Sequence, residues 1–388
     1  MVFFEQYDAL LSPAERDLVA RARGFCAGDF TAELQAAFLR GESFDRRWIT
    51  SWAALGILGL QAKPEHGGHG ASFLCKIRVA QAMARHGFAA AFCLNNLQGQ
   101  VTRISQAGTA AQREQLLEPL CTGRLLAAPA LTEPQGGSDL GALATLARRV
   151  EGGWSLTGTK AWITNGTILD GMTVLARLED GELASFFVLA GAAPAFTRQE
   201  IAVPGGRSFR LAELRMEGHV VPNWARLHQP GGALKAAMES VNAARVHVAA
   251  MAVASLQAGL AEAVRFSGAR HAFGRPLLDH QGLRWELSEV ALRLEAANAL
   301  VFRAACAVNE RRPAITLAAQ CKKFAVDTAL WGLAQCLRAM GAAGAAATCR
   351  IPMLLAETRL AAFGDGTNEL LMNRIGRNLS RDYGEEAP

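Results

Sequence analysis

The first part of the chain carries hydrophobic residues at helical spacing. From Ser12 to about Arg124, apolar positions recur every three to four residues, which is the period of an amphipathic helix. The segment Ser12-Pro13-Ala14-Glu15 is typical of a helix start, because Ser accepts hydrogen bonds from free backbone N–H groups and Pro is tolerated in the first turn. The pattern predicts further helices over Ala71–Arg85, Ala89–Gln106 and Thr109–Leu120.

The middle of the chain changes to short β-type segments. Between about Leu125 and Leu227, runs of branched and aromatic residues are separated by Gly, Asn, Asp and Pro, which is typical of strands and turns. We expect strands at Trp154–Thr157, Met172–Leu178, Ser185–Leu189 and Phe209–Met216. Short strands in this number predict a small antiparallel β-barrel or sandwich.

Long helical segments return after Gly231. The pattern predicts helices over Ala233–Ser267, Gln281–Asn309, Pro313–Met340, Met353–Ala362 and Asn368–Ser380. Long helices joined by short loops indicate an antiparallel bundle. The sequence therefore predicts an α+β protein of three parts: an N-terminal α-helical domain at 1–124, a central antiparallel β-barrel at 125–228 and a C-terminal four-helix bundle at 229–388.

Composition and charge exclude several classes of function. Hydrophobic residues make up 51% of the chain and charged residues 19%, which is typical of a globular protein with a large core. The net charge is +5 and the basic residues are scattered, so nucleic-acid binding is not expected. The weak positive electrostatic field would suit an anionic ligand. The eight cysteines form no C-x-x-C pair and indicate reduced thiols. Without H-E-x-x-H, a Cys/His cluster or G-x-S-x-G, we predict neither a metal site nor a serine hydrolase.

We recognise no targeting signal at either end of the chain. The first ten residues contain Glu5 and Asp8, whereas secretory signals and transit peptides avoid acidic residues. No uninterrupted apolar stretch reaches the length of a membrane span. We therefore expect a cytoplasmic protein without a membrane span.

Three short motifs carry candidate chemistry. They read ALTEPQGGSD at 130–139, KAWITNG at 160–166 and RHAFGRPL at 270–277. A turn rich in Gly and Ser exposes backbone N–H groups and small hydroxyls, and can approach a ligand closely. Each motif alone also fits an ordinary turn or a buried aromatic residue.

Taken together, these motifs resemble the acyl-CoA dehydrogenase family. The resemblance covers nearly the whole chain, including the loop PEHGGHG at 64–70, and follows the helix, strand, helix order. It implies an FAD-dependent enzyme that oxidises the CH–CH bond of an acyl thioester, carried by CoA or by a carrier protein. It also implies an electron acceptor such as electron-transfer flavoprotein, and a homodimer or homotetramer.

The resemblance assigns roles to individual residues. It places Thr132 on the flavin ring system, Trp162 against the isoalloxazine and Thr164 near its N5 atom, with Leu131 and Thr367 as further cofactor contacts. Ser138 would hold the pantetheine arm, and Arg245 would also contact substrate.

A second group of cofactor contacts would come from a neighbouring subunit. Arg270 would bind the FAD pyrophosphate, since a guanidinium fits phosphate oxygens in a bidentate manner. Phe273 and Gln335 resemble further contacts. The Gly-rich stretch that usually follows Gln335 is altered, and this chain has about three extra residues before the next motif.

Asp365 is the candidate catalytic base. Most of the family has a Glu in a Tyr-Glu-Gly-Thr type motif near the C-terminus, and FGDGTNE at 363–369 places Asp365 at that position. Other members carry the base on the first bundle helix just before an Arg, and here that pair is Ala244-Arg245. Gly-Asp-Gly-Thr is also typical of turns and helix caps, so the residues alone leave both interpretations open.

Two features depart from the family pattern near the base. Asp is one methylene shorter than Glu, which removes about 1.5 Å of reach. The Arg usually found seven residues after the base is Met372 here, and Arg374 is the nearest candidate to replace it.

Two other functions remain open on the sequence. A flavin oxidase similar to nitroalkane oxidase would also use an Asp at the position of Asp365. A flavoprotein of this scaffold without dehydrogenase activity would be expected if the base were not competent.

Overall fold

The computed structural model describes residues 3–191, 194–227 and 231–384. The domain boundary predicted at 228/229 lies outside the described residues, as do the first two and last four residues of the chain. The order of helices, strands and helices is as the sequence predicts.

The N-terminal part is helical, and two of its helices begin where the sequence predicts. Ser12 and Glu15 form a capping box at one start, and Thr109 and Gln112 form another. The helix that carries residues 73–84 is buried along its whole length, so it lies in the centre of the protein. The helices are α1 (Glu5–Asp8), α2 (Pro13–Ala27), α3 (Asp29–Arg40), α4 (Arg47–Ala54), α5 (Phe73–Ala84), α6 (Phe88–Ala107) and α7 (Ala110–Cys121).

The central strands form one mixed sheet. They are β1 (Ala127–Ala130), β2 (Leu146–Val150), β3 (Gly153–Ile163), β4 (Gly171–Arg177), β5 (Leu183–Leu189), β6 (Phe196–Glu200), β7 (Ala212–Pro222) and β8 (Arg226–Leu227). The order is β6-β7-β3-β2-β4-β5-β8, with β1 pairing on β4. Most pairs are antiparallel, but β1–β4 and the single residue pair between β2 and β4 are parallel.

The prediction of a closed antiparallel barrel is therefore wrong in its closure and in part of its pairing. Among the described strands, β6 and β8 are edges that do not pair with each other. Hydrophobic alternation fixes which face of a strand is buried but not its neighbours, and the core face here is covered by α6, which packs on β1. The strand predicted at Phe209–Met216 begins only at Ala212, because Arg210 adopts a left-handed conformation with φ 53°.

The C-terminal part is a helical bundle. It contains α8 (Ala233–Ala269), a short hairpin of β9 (His271–Ala272) and β10 (Arg275–Pro276), and then α9 (Gln281–Asn309), α10 (Ile315–Ala339), α11 (Ile351–Thr358), α12 (Asn368–Arg377) and α13 (Leu379–Tyr383). Helices α8, α9 and α10 pack on one another, and α12 adds the fourth by packing on α10. The predicted bounds of α9 are confirmed, whereas the predicted helix Asn368–Ser380 is divided at Asn378.

Helix α8 connects the two helical parts. It is long and apolar enough to cross a membrane by length and composition, but 78% of its most apolar window is buried within the protein. It packs on α5 and α6 as well as on α9 and α10. This is the placement of a core helix.

A buried carboxyl group joins the C-terminal bundle to α6. Glu357, near the end of α11, is 1% exposed and accepts the Ala89 N–H at 3.0 Å in the first turn of α6. Burial raises the pKa of Glu357 to about 7, against the lowering effect of hydrogen bonds from the Ala89 and Phe88 backbone. The carboxyl group therefore titrates in the folded protein near neutral pH.

We expect Glu357 to make the protein less stable as pH rises from about 4.5 to 7. In that range the unfolded state loses a proton that the folded state retains, so the free energy of unfolding falls by up to roughly 3 kcal/mol. Thermal melts of wild type and Glu357→Gln from pH 5 to 8 test this, since the variant lacks this component. Glu310→Gln is the control, because the Glu310 side chain is 56% exposed. Parallel pH dependences in wild type and Glu357→Gln would contradict the assignment.

Candidate active site

Two segments of the sheet are joined at one face. Leu131 and Thr132 directly follow β1, and Lys160 and Ala161 lie near the end of β3. The Ala161 N–H donates to the Thr132 carbonyl at 3.0 Å, and Lys160 Nζ donates to the Leu131 carbonyl at 3.2 Å. The first two sequence motifs are therefore adjacent in space.

A buried ion pair lies beneath this face. Lys160 Nζ is 2.7 Å from Glu133 Oε1, and the two side chains are 0% and 3% exposed. The Thr145 hydroxyl and the N–H groups of Ala144 and Thr145 also donate to the Glu133 carboxylate. Burial raises the pKa of Glu133, but these hydrogen bonds and the Lys160 charge outweigh it and bring the pKa to about 2. Glu133 is thus ionised at neutral pH.

The end of β3 presents an indole to solvent. Trp162 has a left-handed backbone with φ 62° and its side chain is 55% exposed, while the next residues Thr164 and Asn165 are buried. Asn165 is also left-handed, with φ 61°. Its N–H donates to the Phe209 carbonyl at 3.0 Å and its Nδ2 donates to the Cys93 carbonyl at 3.1 Å. These bonds hold the backbone in the turn that directs Trp162 outward.

The Gly-rich loop lies beside Thr132. A Cβ atom added at Gly137 would lie 2.9 Å from Thr132 Cγ2, so only glycine fits this approach. Ser138 and Asp139 are exposed, and Asp139 Oδ1 accepts the Gly141 N–H at 3.1 Å. The loop therefore leaves the Ser138 hydroxyl accessible next to the sheet face.

The loop that carries Asp365 is held from two helices. Asp365 and Gly366 both have left-handed backbones, with φ 55° and 97°. Arg245 Nε of α8 donates to the Asp365 carbonyl at 2.9 Å, and Lys322 Nζ of α10 donates to the Gly366 carbonyl at 2.6 Å. Two consecutive backbone carbonyls are thus bound by cationic side chains.

The Asp365 side chain does not act as a helix cap. The cap of α12 is Thr367, whose Oγ1 accepts the Leu370 N–H at 3.2 Å. The Asp365 carboxylate forms no hydrogen bond within the described part of the chain. Burial raises the pKa of Asp365, and the charges of Lys322 and Arg245 oppose that rise. The group is available for proton transfer.

Arg245, predicted as a substrate contact, is directed toward the base loop. It is 1% exposed, and its Nη1 donates to Asn242 Oδ1 at 2.8 Å. Burial lowers the pKa of Arg245 to about 10, and the nearby charge of Arg374 lowers it further. Arg374 therefore lies near Arg245, whereas Met372 is 51% exposed.

The third motif forms the exposed β9–β10 hairpin. Phe273 is 97% exposed with φ 53°, and within one chain its ring meets His280 edge-on at 6.0 Å between centroids. Arg270 is exposed at the end of α8, and Gln335 is half-buried in α10. The cofactor roles predicted for these three residues remain predictions.

Each of the three parts of the chain matches the model of a known protein domain. The models of the acyl-CoA dehydrogenase N-terminal, middle and C-terminal domains match residues 12–124, 128–219 and 232–380. The chain belongs to the acyl-CoA dehydrogenase family. It is 32% identical to benzylmalonyl-CoA dehydrogenase of Aromatoleum aromaticum over 350 residues, covering 89% of this chain and 92% of that protein. It is 30% identical to the short-chain specific acyl-CoA dehydrogenase of Megasphaera elsdenii, covering 87% and 91%.

Solved structures of acyl-CoA dehydrogenases agree with this fold. The butyryl-CoA dehydrogenase of Megasphaera elsdenii superposes with a TM-score of 0.90 at 28% identity, covering 95% of this chain and 98% of that one. The predicted family and fold class are confirmed. The protein is thus a flavin oxidoreductase of the acyl-CoA dehydrogenase type, acting on CH–CH groups.

FAD is the cofactor of this acyl-CoA dehydrogenase, and the described face fits it. The exposed Trp162 indole offers an apolar surface for a flat ring, and the exposed Gly-rich loop approaches Thr132 closely at Gly137. Large exposed aromatic residues on a rigid strand end are a common feature of ligand sites. When bound, FAD supplies the acceptor for a hydride.

Sequence reasoning missed three charged residues of the site. Glu133 and Lys160 lie inside the quoted motifs and Lys322 lies in α10, yet all three are at most 3% exposed. Their available signal is a charged residue in an otherwise apolar segment. The partner of each is distant along the chain, by 27 residues for Lys160 and by 44 for Lys322, so spacing does not reveal it.

Proposed function

We propose that the protein catalyses α,β-dehydrogenation of an acyl-CoA thioester, with Asp365 as the base that takes the α-proton. Bound FAD would supply the acceptor for the β-hydrogen, taken as a hydride, at its N5 atom. The observation that carries the proposal is the Asp365 carboxylate, which accepts no hydrogen bond from the described residues and lies on a loop whose backbone is fixed by Arg245 and Lys322. Its raised pKa suits a general base, because efficiency is greatest when the pKa approaches the working pH.

The remaining residues serve binding and orientation in this proposal. Trp162 would stack on the flavin, Thr132 and Thr164 would bond its edge, and Ser138 would hold the pantetheine arm. Leu131 and Thr367 would line the cofactor, and Arg245 would fix the base loop beside the thioester. Binding groups on rigid strand and helix ends can maintain the short reacting distances that the chemistry requires.

We infer a compact acyl group from the residues next to the base loop. A Cβ atom at Gly364 would lie 3.5 Å from a ring carbon of Phe92, so this aromatic side chain reaches the residue before Asp365. Phe92 packs against Phe88 and Phe209, with centroid distances of 6.1 and 5.5 Å. Such a cluster favours short or branched acyl groups over long straight chains.

The electron acceptor and the assembly are part of the proposal. A solved structure that superposes with a TM-score of 0.90 at 28% identity is described as an electron transferring flavoprotein system of Acidaminococcus fermentans, which supports a flavoprotein acceptor. Arg270, Phe273 and Gln335 would contact the FAD of a neighbouring copy, in a homodimer or homotetramer. Within one chain Arg270 and Phe273 are exposed and Gln335 is half-buried, which supports this arrangement.

Anaerobic titration of the purified flavoprotein with acyl-CoA thioesters tests the function. We expect a butyryl, isobutyryl or arylalkyl thioester to bleach the flavin, because an α-proton and a β-hydride are both available. The reduced flavin should then react slowly with oxygen. Bleaching only by carrier-bound thioesters would overturn the CoA part of the proposal.

The alternative of a flavin oxidase is favoured by one observation, the Asp at the base position. Rapid reoxidation of the reduced flavin by oxygen would establish it. A protein that binds FAD but is reduced by no thioester on either carrier would overturn dehydrogenation itself.

A further inference from the structure

We propose that Lys322 is a positioning residue for the base, which holds the Asp365–Gly366 turn and keeps the Asp365 carboxylate ionised. This inference rests on the proposed role of Asp365. Lys322 lies in the first half of α10 and donates to the base loop, so it acts through Asp365.

The geometry of Lys322 is unusual for a structural lysine. Its side chain is 0% exposed, and its one hydrogen bond within the described chain is the 2.6 Å bond to the Gly366 carbonyl. Burying an ammonium group is costly unless a carboxylate compensates it, as Glu133 does for Lys160. Lys322 has no carboxylate within salt-bridge distance among the described residues. Its charge is therefore directed at the turn, not consumed by a partner.

The turn itself explains why a clamp is required. Asp365 is a non-glycine residue with a left-handed backbone at φ 55°, whereas Gly366 adopts φ 97° without a side-chain clash, so any backbone cost of the turn falls on Asp365. Arg245 binds the first carbonyl from α8 and Lys322 binds the second from α10. Together they set the direction in which the intervening Asp365 side chain leaves the backbone.

Charged groups from every neighbouring element act on this pair. Burial lowers the pKa of Lys322 to about 8, and the Asp365 charge is the strongest influence opposing that change. Other charges near Lys322 come from Arg245, Asp327 and Glu369. Burial raises the pKa of Asp365, and Lys322 is the strongest influence that lowers it, ahead of Arg245. Below about pH 8 the ammonium is charged and favours the carboxylate form.

Removing the positive charge at position 322 changes the pKa of Asp365 in one expected direction. Without the ammonium, the Asp365 pKa rises, so the acidic limb of the pH profile of kcat/KM moves to higher pH. A nearby positive charge lowers a carboxyl pKa, so we expect the acidic limb of Lys322→Met to lie at measurably higher pH than that of wild type. The lost clamp also lowers kcat, by about tenfold or more at neutral pH, with KM changed less.

The test compares three variants of the FAD-loaded enzyme. Lys322→Met removes the charge and the donor, and Lys322→Arg retains both. Lys323→Met is the matched control, because the adjacent Lys323 is 35% exposed and pairs with Asp327 at 2.7 Å. We expect Lys322→Met to retain FAD and show the shifted limb, Lys322→Arg to restore much of the wild-type profile, and Lys323→Met to match wild type.

Several outcomes would overturn the inference, and they differ from a failure of the proposed function. Wild type reduced by a thioester without any acidic limb would remove Asp365 as the base. A wild-type limb that Lys322→Met leaves in place would overturn only the role of Lys322. If Lys322→Met lowers the FAD content, Lys322→Gln is used for the same comparison. Loss of FAD from both of these neutral variants would overturn the inference and assign Lys322 a structural role instead.

Discussion

The Asp365→Asn variant is expected to reduce its flavin at least about a hundredfold more slowly than wild type when mixed with the thioester substrate. General-base catalysis contributes about 10²- to 10⁴-fold, and an amide cannot accept the α-proton. Asn has the same size as Asp and equally tolerates the left-handed conformation at φ 55°, so the turn should be retained. FAD content and thermal stability should therefore remain close to wild type.

Anaerobic stopped-flow measurement of flavin absorbance provides the rate. Glu310→Gln is a suitable control, because the Glu310 side chain is 56% exposed and lies outside the base loop. In wild type the rate should rise with pH as Asp365 loses its proton, above the ordinary range of an aspartate because burial raises the pKa. An Asp365→Asn rate equal to that of wild type would remove Asp365 from the mechanism.

The second large effect is expected at the buried ion pair. Lys160→Met leaves the Glu133 carboxylate buried without its cation, and breaking a buried pair in this way costs about 3–5 kcal/mol. The Leu131 carbonyl also loses its hydrogen bond from Lys160 Nζ. We expect a lower melting temperature together with weaker retention of FAD, because the segment bearing Thr132 loses its anchor.

The double variant Glu133→Gln/Lys160→Met separates charge burial from packing. It should be more stable than Lys160→Met alone, since no uncompensated charge remains. Glu179→Gln is the control, because its pair with Arg148 is 3.6 Å apart and both side chains are about two-thirds exposed. If Lys160→Met and Glu179→Gln destabilised the protein equally, the buried pair would not anchor the site.

Local chemistry explains which parts of the structure the sequence could predict. Ser12 and Thr109 fix helix starts because their hydroxyls bind backbone N–H groups three residues away, which depends only on neighbouring residues. The bounds of α9 follow from its long apolar stripe. Closure of the sheet depends on pairing between distant strands, and β1 joins β4 in parallel across 44 residues, which no local pattern reveals.

The candidate site also has parts that the sequence predicts and parts that it does not. Motifs identify Asp365 and Trp162 as residues of interest, but the left-handed backbone at both positions appears only in three dimensions. The clamp on Asp365 comes from Arg245 and Lys322, which are 120 and 44 residues from the carbonyls they bind. Their importance depends on the packing of α8 and α10 against the loop, which the apolar pattern of each helix does not encode.

In the proposed assembly, the exposed hairpin of Phe273 would link cofactor loading to subunit association. Phe273 is 97% exposed in one chain, and the proposed contact places it on the FAD of another copy. Each cofactor would then be bound by two subunits, so by mass action dilution would release FAD and added FAD would oppose dissociation of the subunits. FAD binding would strengthen subunit association by the same free energy by which subunit association strengthens FAD binding. Supply of flavin in the cell would consequently control how much of the protein exists in its assembled state.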